Sequence, residues 1–408
     1  MGEPRSAVHF ARICVLAFLI LCGYGVVRPL AESRFLAVHG SAMLPWAWIG
    51  VAAAAAALVA FYQRAARHLD AGTLLGRTAV VSVLSLAAIG LWISRDEGTG
   101  VFALYIWKDV HVVLLIEALW TSANLVFQTR TARWAYGLFC AAGSVGDLSG
   151  SLLSSTLEKQ LGFVPALAAS GALLALTAVV ARLFASRAPV SLPPGAATDD
   201  PLRKTSLKVL RRSDILVWMI GMVFAVQVAI TLVDFLYNQT VEREIAAPEE
   251  RTVFIGNVYA AIAVSALALQ FGSGLVLRFW GAPRTLVTVP GVLLALLTGF
   301  VLMPSVAVMV LVKVASKAFD YSVYRTAKEV IYIPLDYEEK THGKALGDML
   351  TYRVAKAGAS LLLAGMVSLG VTSLAPVLTL AVLAVWAAIA AVVGRRYLGR
   401  LRSAESPA

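Results

Sequence analysis

Membrane-length apolar runs rarely hold cations, yet the segment 305–334 holds four. Lys313, Lys317, Tyr321, Tyr324, Arg325 and Lys328 fall on one broad face at about 3.6 residues per turn, with Asp320 at its border and Glu329 at its other edge. Lysine supplies point charges and arginine a two-pronged fork that matches carboxylate or phosphate, so the pattern predicts a wall for an anion. Cations outnumber acids on this stripe, so mutual pairing alone does not neutralise it.

Other apolar segments carry polar stripes of their own. One holds Glu117, Thr121, Asn124 and Gln128 at i, i+4, i+7 and i+11, with Lys108, Asp109 and His111 a few turns earlier. Another holds Gln227, Thr231, Asp234 and Asn238 at the same spacing. A third places Asp348, Tyr352 and Lys356 at i, i+4 and i+8, with Arg353 alongside. The first segment contributes Tyr24, Arg28 and Glu32, and the fifth Ser144, Asp147 and Ser151 beside Gly143, Gly146 and Gly150. Ionisable groups at membrane depth cost roughly 2.5–3.5 kcal/mol each on insertion scales, so they mark a wet cavity or a partner. Arg28, Asn124, Lys317, Tyr321, Arg325 and Lys328 are therefore expected to touch substrate. Glu32, Asp109, Glu117, Asp234, Glu329, Asp348, Arg353 and Lys356 are expected to gate or couple. The competing reading is structural. Asp348 with Lys356, or Asp147 with a neighbour, would lock helices together; Gln227 and Thr231 would bond helix to helix; His111 would pack.

The elements that must position these groups follow from composition. The chain has 408 residues, 59% hydrophobic against 14% charged, and a mean hydropathy of +0.78. A soluble protein carries about a quarter charged residues. A bilayer span takes about 20 apolar residues. Segments can be placed at 10–30, 42–62, 73–94, 101–127, 132–156, 162–185, 214–237, 252–277, 284–303, 305–334, 343–369 and 374–394. The fold class expected is an all-α membrane protein, twelve transmembrane helices in two six-helix halves. The halves are 1–186 and 214–408, joined by a linker over 187–213 that holds Pro189, Pro193, Pro194, Gly195 and Pro201. That layout is the major-facilitator pattern, in which substrate binds between the halves. Trp46, Trp48, Trp92 and Trp280 lie near segment ends and read as interfacial anchors.

The net charge of +11 is mostly an orientation signal. Alternate connections collect Arg64, Arg67 and Arg77, Arg130 and Arg133, the basic run 203–212, Arg278 and Arg284, and Arg395 to Arg402. The positive-inside rule then puts both termini in the cytoplasm. Cys14, Cys22 and Cys140 lie in apolar stretches without CxxC or histidine clusters, which argues against disulfide and zinc sites. No Walker A, zincin or nucleophile-elbow motif occurs, so an enzyme is not expected. No cofactor and no nucleic-acid partner is implied; the lipid bilayer and a small anionic solute are. Nothing sets the oligomeric state, and a monomer suffices.

The stretch from Arg325 to Asp336, with Glu339, Lys340, Gly343, Lys344, Ala345 and Asp348 after it, resembles the TKEMxYIPLD…ExKxKGKAxxD signature of the ATP/ADP translocases. Lys328, Glu329, Tyr332, Pro334, Leu335, Asp336, Lys340, Gly343, Lys344 and Asp348 match position by position. Trp120, Ala123 and Asn124 match that family's W..AN element, and Arg133, Tyr136, Phe139 and the three fifth-segment glycines match the stretch after that element. The short bacterial members are the nearest in length. Two departures stand out: Ala31-Glu32 where the family has a basic residue and Asp, and Tyr-Arg-Thr-Ala-Lys-Glu over 324–329 for its FDPTKE. The resemblance implies a major-facilitator-like carrier in a bacterial inner membrane that exchanges nucleotides. Two rival expectations stay open, a proton-coupled carrier of another organic or phosphorylated anion and a non-transporting sensor or scaffold.

Overall fold

The computed structural model describes residues 3–66, 71–126, 129–185, 213–335, 339 and 351–405. Among them, thirteen α-helices and two short 3-10 turns occur, and no strand. They are α1 (Glu3–His39), α2 (Leu44–Ala66), α3 (Ala71–Ile93), α4 (Glu97–Val126), α5 (Thr129–Leu161) and α6 (Phe163–Ala185). Then come α7 (Asp214–Glu244), α8 (Pro248–Trp280), α9 (Ala282–Leu302), α10 (Val306–Tyr321), α11 (Val323–Tyr332), α12 (Tyr352–Ser368) and α13 (Ala375–Glu405). They account for the twelve expected segments, because the tenth is split into α10 and α11. Nine helices among the described residues are long and apolar enough to cross a membrane. The expected spans outside that group are α5, the α10–α11 pair and α12, which carry charged stripes. The 187–212 part of the expected linker lies outside the described residues.

The chain forms two compact units. One comprises the described residues of Met1–Gly40, Ala47–Thr198 and Ile245–Ala263; the other those of Ser41–Trp46, Asp199–Glu244 and Val264–Ala408. Packing thus assigns 245–263, the start of α8 included, to the first unit.

In the first unit α1 is the central helix. Leu16, Ile20, Val27 and Ala31 of α1 meet Leu75 and Ala79 of α3, Leu104 and Leu115 of α4, and Leu174 and Ala178 of α6 in one buried cluster. Against α5 the contact is backbone to backbone. A Cβ at Gly146 would meet the Phe18 carbonyl, and one at Gly150 the Cys22 carbonyl. Helices buried in lipid gain little from apolar burial and associate through such close approach. Gly150→Val is accordingly expected to lower the melting temperature of the detergent-purified protein by an overpacking cost of about 1–3 kcal/mol. Gly291→Ala, where an added Cβ meets nothing within 4 Å, should leave melting unchanged.

In the second unit α7 carries buried residues from Ile215 to Val241, with Val217, Trp218 and Phe224 exposed on its other face. Leu286, Val289, Leu293 and Leu297 of α9 and Leu383, Trp386, Ala390 and Val393 of α13 are likewise buried. The C-terminal arginines tie helix ends together: Arg396 donates to Asp214 at 2.6 Å and Arg400 to Glu339 at 2.9 and 3.1 Å.

The outer faces are apolar, with Val164 73% and Phe271 82% exposed. Water would penalise such side chains, whereas lipid accepts them. Trp46, Trp92 and Trp280 are exposed as anchors would be. Trp48 is not: it is buried and donates to the Tyr105 hydroxyl at 2.9 Å. A buried indole N–H needs an acceptor, and α4 supplies one.

Candidate functional site

The expected continuous helix over 305–334 is interrupted at one residue. Ser305 caps α10, its hydroxyl accepting from the Ala307 amide at 3.3 Å. At Ser322 the backbone leaves helical space, with φ −128° and ψ −101°. The Ser322 hydroxyl donates to the Ala318 carbonyl, and its amide turns to the Phe319 carbonyl at 3.3 Å. Serine's side chain thus replaces the rung its own amide would have made. The Tyr321 carbonyl accepts from Gln270 Nε2 at 3.1 Å, so α8 braces the break.

The single cationic stripe expected from the sequence is therefore divided in function along its length. Its first part meets α7: Lys313 Nζ donates to Asp234 Oδ1 at 2.8 Å, and Lys317 Nζ to Asp234 Oδ2 at 2.9 Å. Lys313 is 2% exposed and also lies 4.8 Å from the centre of the Tyr237 ring. Lys317, expected at the substrate, thus belongs to an ion-paired triad. On α7, Thr231 donates back to the Gln227 carbonyl and Asn238 Nδ2 to the Asp234 carbonyl, so these two groups of the stripe bond within their own helix.

The second part of the stripe faces a cavity of about 270 Å³. It is lined by Asp320, Tyr321, Tyr324, Arg325, Lys328 and Glu329, by Val223, Val226 and Gln227 of α7, and by Tyr352 at the start of α12. Arg325 and Tyr321 are exposed, and Lys328 and Glu329 half-buried. Tyr324 is held edge-on to the fully buried Trp386, with centroids 5.4 Å apart at 86°. Among the described residues, two cations and two carboxylates line this space, so the stripe's excess of positive charge there is smaller than the sequence suggests. Arg353 is exposed and Lys356 half-buried on α12, and neither lines the cavity. Asp348 lies outside the described residues, and with it the expected Asp348–Lys356 pairing.

A second polar cluster sits in the first unit. Arg28 donates to both oxygens of Asp147, at 3.0 and 3.2 Å, and its guanidinium lies over the rings of Tyr259 (3.5 Å) and Tyr24 (4.9 Å). Lys108, 2% exposed, lies 2.9 Å from Asp109 and 3.5 Å from Glu32. Tyr24 donates to Asp109 at 3.2 Å and Tyr259 to both Glu32 oxygens at 3.0 and 2.9 Å. Three carboxylates thus surround two cations. Arg28, read from sequence as a substrate contact, is in this structure a paired and stacked group, and Asp147 is its partner. Glu117 stays outside the cluster, exposed on α4. The Asn124 and Gln128 side chains lie outside the described residues. His111 stacks on Trp107 at 3.8 Å and 9°, with Nδ1 3.0 Å from the Trp107 carbonyl, which is a packing arrangement. Ala31 is fully buried in the core, so its methyl has no ligand to meet.

Sequence reasoning missed Tyr259, which ties α8 to both Arg28 and Glu32. The available signal was a tyrosine in mid-span, one turn after Gly256, whose own added Cβ would meet Ser155. It also missed Arg251, buried and donating to the Ile245 carbonyl at 2.7 Å, where it caps the turn into α8.

Comparison with known proteins places these residues in context. The TLC ATP/ADP transporter family model matches residues 295–397, a segment that contains Lys313, Lys317 and the cavity's α10–α11 wall. ADP,ATP carrier protein 1 of Chlamydia pneumoniae is 27% identical over 225 residues, 48% of this chain and 43% of that protein. A plastidic ATP/ADP-transporter of Solanum tuberosum is 26% identical over 177 residues, 38% of this chain and 28% of its own. The matched stretch thus spans less than half the length of these curated relatives. In structure, a bacterial homologue of the iron transporter ferroportin, in an inward-facing state, superposes with a TM-score of 0.70 at 13% identity, covering 97% of this chain and all of that one (100%). The nucleoside transporter NupG gives 0.64 at 12% identity, covering 96% and 99%. The chain is a multi-pass membrane protein with a major-facilitator-like fold, and its residues 295–397 are similar to the TLC ATP/ADP transporter family.

Proposed function

We propose that this protein is a secondary carrier, not an enzyme, that exchanges a nucleotide across a bacterial cytoplasmic membrane by alternating access. The observation that carries this reading is the coincidence of two facts. The segment related to ATP/ADP transporters is the one whose Arg325 and Lys328 line a polar cavity. A guanidinium and an ammonium at about one helical turn's spacing suit adjacent phosphate groups. The cavity's roughly 270 Å³ is below the 300–1,000 Å³ usual for whole ligands, so it suits the phosphate end of a nucleotide. The basic connections support cytoplasmic termini, with six-helix halves over 1–186 and 214–408 flanking a cytoplasmic linker at 187–213.

The direct test is labelled ATP and ADP uptake into proteoliposomes of the full chain, with and without internal counter-nucleotide. Uptake is expected only with counter-nucleotide inside, and it should persist when the proton gradient is collapsed. Uptake that disappears with the gradient would replace exchange by proton coupling. Nucleotide binding without movement in either direction would leave a sensor built on a carrier fold.

A further inference from the structure

The second unit carries a groove that the carrier reading does not use. It encloses about 480 Å³ and is walled by Leu269, Leu275 and Phe279 of α8 and Val289 of α9, with Phe319 and Val323 as its floor. Its few polar lining groups are already satisfied within the protein. Trp280 Nε1 donates to the Thr288 hydroxyl at 3.1 Å, Thr288 in turn to the Arg284 carbonyl at 2.9 Å, and Thr285 to the Gly281 carbonyl at 2.8 Å. A ligand there is offered apolar surface and nothing to hydrogen-bond. From Leu269 to Phe279 the wall runs about 15 Å at the helical rise, an acyl-chain length. Its rim is open, with Phe279 75% and Leu275 59% exposed.

Two arginines stand at one end. The turn at Gly281, φ +78°, reverses α8 into α9 and brings Arg278 and Arg284 to the same mouth. Arg278 lies over the Phe279 ring, 5.7 Å from its centroid, and Arg284 is one turn before Thr288 on the face that lines the groove. Both are exposed, and among the described residues neither is held by a carboxylate. Trp280 marks this end as the level of the lipid headgroups.

We infer that this groove is a binding site for an anionic phospholipid, with one acyl chain along α8 and the phosphate between Arg278 and Arg284. Because the floor residues Phe319 and Val323 flank the break at Ser322, a bound lipid bears on the helix pair that forms the cavity wall. Charge complementarity selects the headgroup: each arginine near a membrane surface favours an anionic lipid by roughly fivefold.

The test is native mass spectrometry of the full-length, detergent-purified protein in the absence of nucleotide. It is titrated with phosphatidylglycerol and phosphatidylcholine of identical chains. Phosphatidylglycerol should be retained about tenfold or more over phosphatidylcholine. Arg278→Gln with Arg284→Gln should bring the two lipids level, and Val289→Trp, which fills the groove, should reduce retention of both. Equal retention of the two lipids by the unmodified protein overturns the inference, as does an unchanged preference in the double variant. If the double variant fails to fold, unchanged lipid retention in Val289→Trp does the same. Since no nucleotide is present, failure here is separate from failure of the carrier reading.

Discussion

Asp234→Asn is expected to abolish transport and to lower the melting temperature of the detergent-purified protein more than any other single polar substitution in the second unit. Asp234 receives Lys313 at 2.8 Å and Lys317 at 2.9 Å, and the two lysines are 2% and 15% exposed. Asparagine keeps the shape but removes the carboxylate that the two ammonium groups share. Breaking a buried pair by removing one partner costs about 3–5 kcal/mol, because the remaining charge is uncompensated. Here one substitution takes the acceptor from two ammonium groups. Lys313→Met should be far milder, since Asp234 then keeps Lys317 and the deeper ammonium is replaced by an apolar chain of similar length. Adding Lys313→Met to Asp234→Asn should therefore recover part of the lost stability, as partners in one network do not add. Thermal melts of the three variants decide it: an Asp234→Asn protein that melts with the wild type would mean that the triad contributes nothing to the fold.

The triad also shows what could and could not be read from the sequence. Periodicity placed Asp234 on one face of its helix and Lys313 with Lys317 on one face of another. It carried no information on which face meets which, since that depends on how two helices rotate and slide in the bundle. The sequence reading accordingly gave Lys317 to the ligand and Asp234 to gating, as separate roles, when the two are one ion-paired unit in the structure. The helix break was hidden for a related reason. Breaks are usually announced by proline or glycine, and the stretch from Phe319 to Arg325 contains neither. At the break a serine hydroxyl takes the Ala318 carbonyl, but Ser82, Ser122, Ser149 and Ser360 make the same bond to the fourth carbonyl back inside unbroken helices, so the residue type gave no warning.

Gross architecture was far more legible. Apolar length alone set the spans, and these need no partner to be recognised. The twelve segments reappear as helices with the tenth divided; most described ends fall within about 5 residues, while α1, α7 and α13 run 7 to 11 residues past the segment at one end or both. The first unit shows the limit again. Arg28, Glu32 and Asp109 were all singled out, as were Lys108 and Asp147 as polar intruders. Their mutual arrangement, two cations among three carboxylates with two tyrosines as hydrogen-bond donors, depends on four different helices. Such a network fixes helices as firmly as it could bind anything, because each charge already has its counter-charge.

On the α10–α11 stripe, among the described residues, Arg325 and Lys328 are the cations that line the cavity, and this sets the second large expectation. Lys328→Ala should cut nucleotide uptake by at least about thirtyfold, the factor for losing a desolvated charge contact of about 2 kcal/mol or more. Folding should be preserved, since Lys328 is only half-buried on the cavity wall. Arg325 is exposed, where a charge pair is worth up to about 1 kcal/mol, so Arg325→Ala should cost only a few-fold. Its effect should depend on ligand charge. With one cation removed from a wall that also carries Asp320 and Glu329, repulsion grows with each phosphate, so the variant should lose triphosphate uptake more than monophosphate uptake. Measuring KM and maximal rate for mono-, di- and triphosphates in proteoliposomes separates the two residues. Lys328→Ala kinetics that match the wild type would remove that lysine from the phosphate site. If Arg325→Ala also weakens every ligand equally, the cavity does not sense phosphate charge, and the anion must be held by other residues.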